Sequence, residues 1–186
     1  DSDSVAVGGV VVRNDVRGIV NSYVSKVDLT SGAKLTVNAV EDATIKADNQ
    51  SVVSSKGGSS FGGGKSVAVN GLIATNMVLS EADSYITGGT TTVNNGAALE
   101  VDATNSSNID AVIKGETTSN GVSVGVTLAF NTIGFDAQNI LFNTVDAILG
   151  TDIADKNSAA VQAYIDGTTV MAGSVAVNAN SEAAIS

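Results

Sequence analysis

The stretch NSYVSKVDLTSGAKLTVNAVEDATI at 21–45 returns in altered form as DSYITGGTTTVNNGAALEVDATNSSNI at 83–109 and again as QAYIDGTTVMAGSVAVNANSEAAI at 162–185. Each copy carries a Tyr followed by a β-branched residue (Tyr23-Val24, Tyr85-Ile86, Tyr164-Ile165). A Gly follows (Gly32, Gly96, Gly173), then a Val-x-Ala pair (Val37/Ala39, Val101/Ala103, Val177/Ala179), and the copy closes on Ile45, Ile109 or Ile185. Each copy is preceded by an alternating run: SVAV at 4–7, SVAV at 66–69 and SVGV at 123–126. Self-similarity on this scale is the mark of a repeat architecture, in which one unit cannot bury its apolar face alone and neighbours stack to do so. The chain therefore divides into three imperfect repeats of a single domain, at about 4–64, 65–121 and 122–186.

Within each repeat the hydrophobic period is two. Leu35, Val37 and Ala39 share one face of a strand, as do Leu99, Val101 and Ala103, and also Val122, Val124, Val126 and Leu128. Composition agrees: 43% of residues are hydrophobic but only 4% aromatic, with 20 Gly and no Pro. Such a profile suits strands and tight turns. The expected fold is all-β, a parallel β-helix or a close β-solenoid relative, with two or three coils in each repeat and small inward residues such as Ala39, Ala103 and Ala179 at the corners. A β-sandwich is the alternative, kept open by NG at 70–71 and 120–121 and NNG at 94–96, which suit hairpins. Two stretches break the pattern. SSKGGSSFGGGK at 54–65 reads as a loop; its GKS ending lacks the strand-to-helix context of a phosphate cradle. At 137–149, Ile140, Leu141, Val145, Ile148 and Leu149 take helical spacing, with Asp136 and Gly150 as caps. A short lateral helix is predicted there.

Several chemistries are excluded by what is missing. Without Cys or His there is no disulfide, no zinc–thiolate site, no thiol nucleophile and no Ser-His-Asp triad. A formal net charge of −10 with only nine basic residues argues against nucleic acid as a partner. The longest uncharged stretch, Thr117–Phe135, alternates with period two, so no membrane insertion is expected. No signal peptide opens the sequence. The pattern begins and stops without a cap-like segment, as expected of a window from a longer array or of a subunit covered by neighbours.

The remaining polar residues give a short set of candidates. Tyr23, Tyr85 and Tyr164 suit either a stacked strip contacting carbohydrate or wall residues of the stack. Among the acids, Glu41 and Asp42, Asp146, and Asp152 with Asp155 are Ca²⁺ candidates, although the β-roll motif is absent. No other cofactor is implied. Thr90–Thr92 and 168–170 suggest threonine rungs on an outer face. Arg13, Asp15 and Arg17 share one strand face and form the best polar constellation, equally a surface ion-pair ladder. No complete catalytic set emerges, so catalysis is not expected.

SVAVN, xAYIDGTTVxAG and SVAVNANSEAAI, over most of the chain, resemble repeats of very large bacterial exported β-helix proteins of the filamentous-haemagglutinin-like and adhesin-like kind. The resemblance implies an extracellular or bacterial cell-surface location and a structural, adhesive or matrix role, and it carries over no catalytic residue. The partners implied are neighbouring repeats or identical subunits, with surface polysaccharide as a further ligand. Two other functions stay open: a polysaccharide-binding or polysaccharide-cleaving module, and a strand-donating pilus-like subunit with an unpaired strand at 1–12 or 174–186.

Overall fold

The computed structural model describes residues 2–57, 62–134, 147, 150 and 159–186. Their strands fall into three successive coils. Coil 1 comprises β1 (Ser4–Val16), β2 (Ile19–Ser25), β3 (Leu29–Ser31), β4 (Leu35–Glu41) and β5 (Thr44–Ser55). Coil 2 comprises β6 (Ser66–Val78), β7 (Glu81–Thr87), β8 (Thr90–Val93), β9 (Ala98–Asn105) and β10 (Asn108–Ser119). Coil 3 comprises β11 (Val122–Ile133), β12 (Val161–Asp166), β13 (Thr169–Met171), β14 (Ser174–Ser181) and β15 (Ala184–Ile185). Each strand pairs with its counterpart in the next coil, giving five three-stranded sheets with coil 2 always in the centre. Every pairing is parallel, so the chain is an all-β parallel solenoid and not a sandwich of hairpins.

The strands stack like on like. Tyr85 lies between Tyr23 and Tyr164, Val101 between Val37 and Val177, and Ala103 between Ala39 and Ala179. Ile109 likewise lies between Ile45 and Ile185, and Asn76 between Asn14 and Asn131. Each repeat makes one long coil, not two or three, because five short strands in five different sheets use up the whole repeat. Three layers about 4.8 Å apart place the outer backbones about 10 Å from each other.

Register also departs from the sequence reading in one place. SVGV at 123–126 matches SVAV at 66–69 by sequence, yet Val122 pairs with Val67 and Ser123 with Ala68. The two-residue slip preserves the alternation, so the apolar pattern alone does not resolve it. NNG at 94–96 does form a tight turn, with Asn95 and Gly96 at φ 59° and 67°, but it joins β8 to β9, which lie in different sheets. It inserts two residues: Ser31 pairs with Val93, 62 positions on, whereas Leu35 pairs with Leu99, 64 positions on.

The coil is flattened. The β1/β6/β11 sheet packs on the β5/β10/β15 sheet, and the β2/β7/β12 sheet packs on the β4/β9/β14 sheet. The second pair of sheets encloses an apolar core. Ile86, Leu99 and Val101 are fully buried and Val37 and Val93 nearly so. Ala39, Ala82 and Ala103 pack together beside them, mid-strand and not at corners, where small side chains let the sheets approach. A third cluster, Ala43, Ile45, Val78 and Ile109, links the two halves.

The first pair of sheets is filled differently. Its interior includes buried polar groups: Ser51 Oγ donates to Asn70 Oδ1 at 2.8 Å, and Asn70 Nδ2 donates to the carbonyls of Ser51 and Glu116, each at 3.2 Å. Asn14 Nδ2 donates to Asn76 Oδ1 at 2.7 Å, and Asn76 Nδ2 to Asn131 Oδ1 at 2.8 Å, an amide ladder through all three coils. Glycines bring these sheets close together. A Cβ at Gly8 would strike Val53, and one at Gly115 would strike Thr127. Small and polar residues therefore share this inside with a few aliphatic ones, among them Leu72, Ala68 and Ala74.

Candidate functional site

That inversion exposes an apolar outer face. Val122, Val124 and Val126, which share a face as predicted, point outward and stand 57%, 46% and 53% exposed. Val5, Val7 and Val11 flank the same central strand at 71%, 76% and 54% exposure. Further along the face, Met77, Leu79 and Phe130 form an apolar cluster with Ile73 and Leu128. Across the molecule, the outer face of β5 and β10 is polar, with Lys46, Asp48, Asp110, Lys114 and Glu116. A shallow dent there is lined by Lys46, Ala47, Asp48, Asp110 and Val112. Period two alone does not distinguish the two faces of a strand; the signal was in the partner residues, since Ser66, Asn70 and Asn76 alternate with the valines of β6.

The three tyrosines lie on the outer face of the β2/β7/β12 sheet. Their rings stack in parallel, Tyr23 on Tyr85 at 5.2 Å and 8°, and Tyr85 on Tyr164 at 5.0 Å and 4°. The backbone register imposes this spacing, since parallel strands set identical residues about 4.8 Å apart. Both faces of the Tyr85 ring are covered by its neighbours. A ligand approaching from the side meets ring edges and hydroxyls, and full ring faces are offered only at the outer sides of Tyr23 and Tyr164. Asp83 lies two residues from Tyr85 on this face, between Asn21 and Gln162. Its Oδ1 is buried without a hydrogen-bond partner. Partial burial, followed by the nearby Glu81 charge, raises its carboxyl above the ordinary carboxylate value. The Tyr164 hydroxyl is also raised, first by desolvation and then by Tyr85, Asp83 and Asp166.

Arg13, Asp15 and Arg17 come together as their alternation predicts. Arg13 Nη2 donates to Asp15 Oδ2 at 2.9 Å, and Arg17 Nε to Asp15 Oδ1 at 3.1 Å. Partial burial pushes the Asp15 carboxyl up, but hydrogen bonds and charge from Arg17 and Arg13 outweigh it and hold the group below its ordinary value. Both oxygens of this carboxylate are committed to guanidinium partners, the geometry of a surface ion-pair ladder. Those three lie within coil 1, whereas Lys34 and Glu100 form an ion pair between coils 1 and 2 at 2.6 Å.

Other candidates are dispersed or undescribed. Glu41 and Asp42 sit at the corner between β4 and β5. Asp146, Asp152 and Asp155 lie outside the described residues, as do most of the predicted helix at 137–149 and part of the glycine-rich loop at 54–65. Among the described residues, no group of three acids is placed to hold a metal ion. Thr90 and Thr92 pair with Thr169 and Met171, so the threonine rung is not continued across the coils. Segments 1–12 and 174–186, the candidates for a donated strand, contribute β1 and β14, paired along their lengths with β6 and β9. No helix among the described residues is long and apolar enough to cross a membrane.

No family model, curated protein or solved structure matches the chain.

Proposed function

We propose that this chain is a structural, adhesive repeat module of an extracellular bacterial surface or fibre protein. The observation that carries this reading is the unbroken register of three coils, with identical residues laddered through them. Interactions of this kind run along one axis, each coil touching only its neighbours, and so suit a stiff spacer that presents side chains at regular intervals. The glycine-, serine- and asparagine-rich interior and the acidic surface fit a module built for extent and solubility. The resemblance to exported β-helix repeats supports the bacterial surface location.

Pulling the chain from its two ends in a force spectrometer tests the mechanical part. Coils peeling one after another should give steps of about 20 nm, the contour of some 60 residues at roughly 3.4 Å each. A single release of the whole chain at low force would overturn the reading. Polysaccharide binding is the second reading, favoured by the exposed Tyr23 and Tyr164, at 59% and 38%. A glycan-array signal lost in Tyr23→Ala and Tyr164→Ala would establish it; a blank array would remove it.

A further inference from the structure

The outward positions of β1 run Val5, Val7, Gly9 and Val11, and the register sets Val67, Val69, Gly71 and Ile73 of β6 beside them. β11 continues the rows with three valines and Leu128. β6 is hydrogen-bonded on both edges, yet these residues of it stay partly exposed. The opening therefore belongs to the side of the stack and not to either end of it. None of these positions, four on each of three strands, is charged. The other long outer faces carry acids: Glu81 and Asp83 on β7, Glu100 and Asp102 on β9, Asp110 and Glu116 on β10. Two glycines shape the apolar face. Gly8 and Gly115 are needed by the inner packing, where a Cβ would strike a side chain. Gly71, in contrast, has nothing within 4 Å of where a Cβ would stand, and Gly9 only the Gly71 carbonyl at 4.0 Å. Neither takes a positive φ. The fold itself leaves room for a side chain at both, so the dent they make in the valine rows opens outward.

We infer that this face pairs with the same face of a second copy of the chain, the two stacks lying side by side and parallel, with the facing strands antiparallel. The inference rests on the structural-module reading and names its lateral partner. A two-fold axis running along the stack, between the Val69 and Gly71 rows, lays Val7 over Gly9 of the other copy and Val69 over Gly71. The symmetry repeats both contacts, as an isologous interface requires. Each of these valines then stands in a dent of the facing sheet, the interdigitation by which two sheets pack. The outer rows match as well: Val5 meets Val11, and Val67 meets Ile73. In coil 3, Val124 meets Val126. Rows about 6.8 Å apart along the strands and about 4.8 Å apart across them give a face on the order of 400 Å². That is in the range of the largest apolar patch an ordinary monomer leaves open. With side-chain relief included, pairing two copies buries about 1,000 Å² in total, the low end for a specific interface, so the contact is weak and reversible. Charge singles out this face. The chain has a formal net charge of −10, and pairing through any of the acid-bearing faces brings like charges together. Because the axis runs along the stack, the contact repeats wherever the rows do, whatever the number of coils.

Sedimentation equilibrium of the full chain over a concentration series reads the pairing directly, and a reversible monomer–dimer equilibrium is expected. Val7→Lys combined with Val124→Lys charges the face at positions already 76% and 46% exposed in the single copy. The circular dichroism spectrum should stay as it is, while the dissociation constant rises about tenfold or more. Val52→Lys, on the opposite outer face at 57% exposure, is the control. It should change the constant less than about twofold. Gly71→Val separates a fitted pairing from general stickiness. It adds apolar surface where the fold has room, but it fills the dent that receives Val69, so association should weaken roughly fivefold. Stronger association of Gly71→Val would overturn the proposed arrangement. So would a dimer that Val52→Lys weakens as much as the face variants do, since the contact would then lie elsewhere. A native chain that stays monomeric at millimolar concentration overturns the pairing outright. If that monomer floats with phosphatidylcholine vesicles and the lysine variant does not, the face belongs to lipid. If it still unzips coil by coil under force, the structural-module reading stands without the lateral partner.

Discussion

Asp83 and Asp15 are both acids on outer strand faces, and their surroundings give them opposite pH signatures. Asp83 is flanked by Asn21 and Gln162 and feels Glu81, and its folded pKa is raised. For a raised acid, the stabilising contribution is present below the unfolded value near 4 and is lost as pH rises through the folded value. At neutral pH this carboxylate therefore works against the fold. Asp83→Asn removes the charge and completes an amide rung with its neighbours. The expected gain is on the order of 1 kcal/mol at pH 7, about 2–4 °C in Tm for a chain of this size, shrinking toward zero at pH 3. Thermal melts at the two pH values check it, and an equal gain at both would contradict the electrostatic account. Asp15 has a lowered pKa, so its contribution is present above the unfolded value and is lost as pH falls through the folded one. Its partners are partly exposed, so Asp15→Asn should cost less than about 1 kcal/mol at pH 7 and nothing near pH 2. Raising the salt concentration should reduce the pH 7 loss.

At the scale of single elements, β6 shows how one strand serves two unlike environments. Its inward positions Ser66, Asn70 and Asn76 are buried polar groups, and its outward positions include Val67, Val69 and Ile73. Asn76 holds the centre of the amide ladder, donating to Asn131 and accepting from Asn14. Replacing it with Ala leaves two amides short of a partner at once. Each unsatisfied group costs about 1–3 kcal/mol, so Asn76→Ala should lose roughly 2–6 kcal/mol in a urea titration. A loss below about 1 kcal/mol would mean that water replaces the ladder. The same element marks where sequence reading stopped. Strand existence, parallel stacking and the tyrosine rung were legible because identical residues recur at the repeat spacing, and the alanine and valine faces of β4 and β9 were legible from period two. Which face of β1, β6 and β11 turns inward was not, because period two is blind to direction and the usual rule sends valine inside. The close approach at Gly8, Gly115 and Gly125 overrides that rule, and it depends on residues from different sheets. The length of a coil was illegible for a related reason: five strands in one turn or several short turns give the same alternation. The Arg13–Asp15–Arg17 cluster was visible because all three share one strand.

The molecule as a whole is a stack in which the middle layer has everything and the outer layers have half. Coil 2 strands are hydrogen-bonded on both edges, and Leu72, Val78, Ile86, Leu99, Val101 and Ile109 are each at most 1% exposed. In coil 1, Val37 of β4 and Ile45 of β5 stand at 5% exposure, while their counterparts Val177 of β14 and Ile185 of β15 stand at 42% and 51%. All sheet contacts join residues more than 50 positions apart, so no coil gains its ladder energy until a long loop has closed. Stability should therefore be graded along the stack and not uniform. In native-state hydrogen exchange, amides of β6 to β10 are expected to be the slowest, with those of β1 to β5 intermediate and those of β14 and β15 the fastest. Uniform protection in all three coils would instead indicate one cooperative unit and contradict the one-dimensional picture.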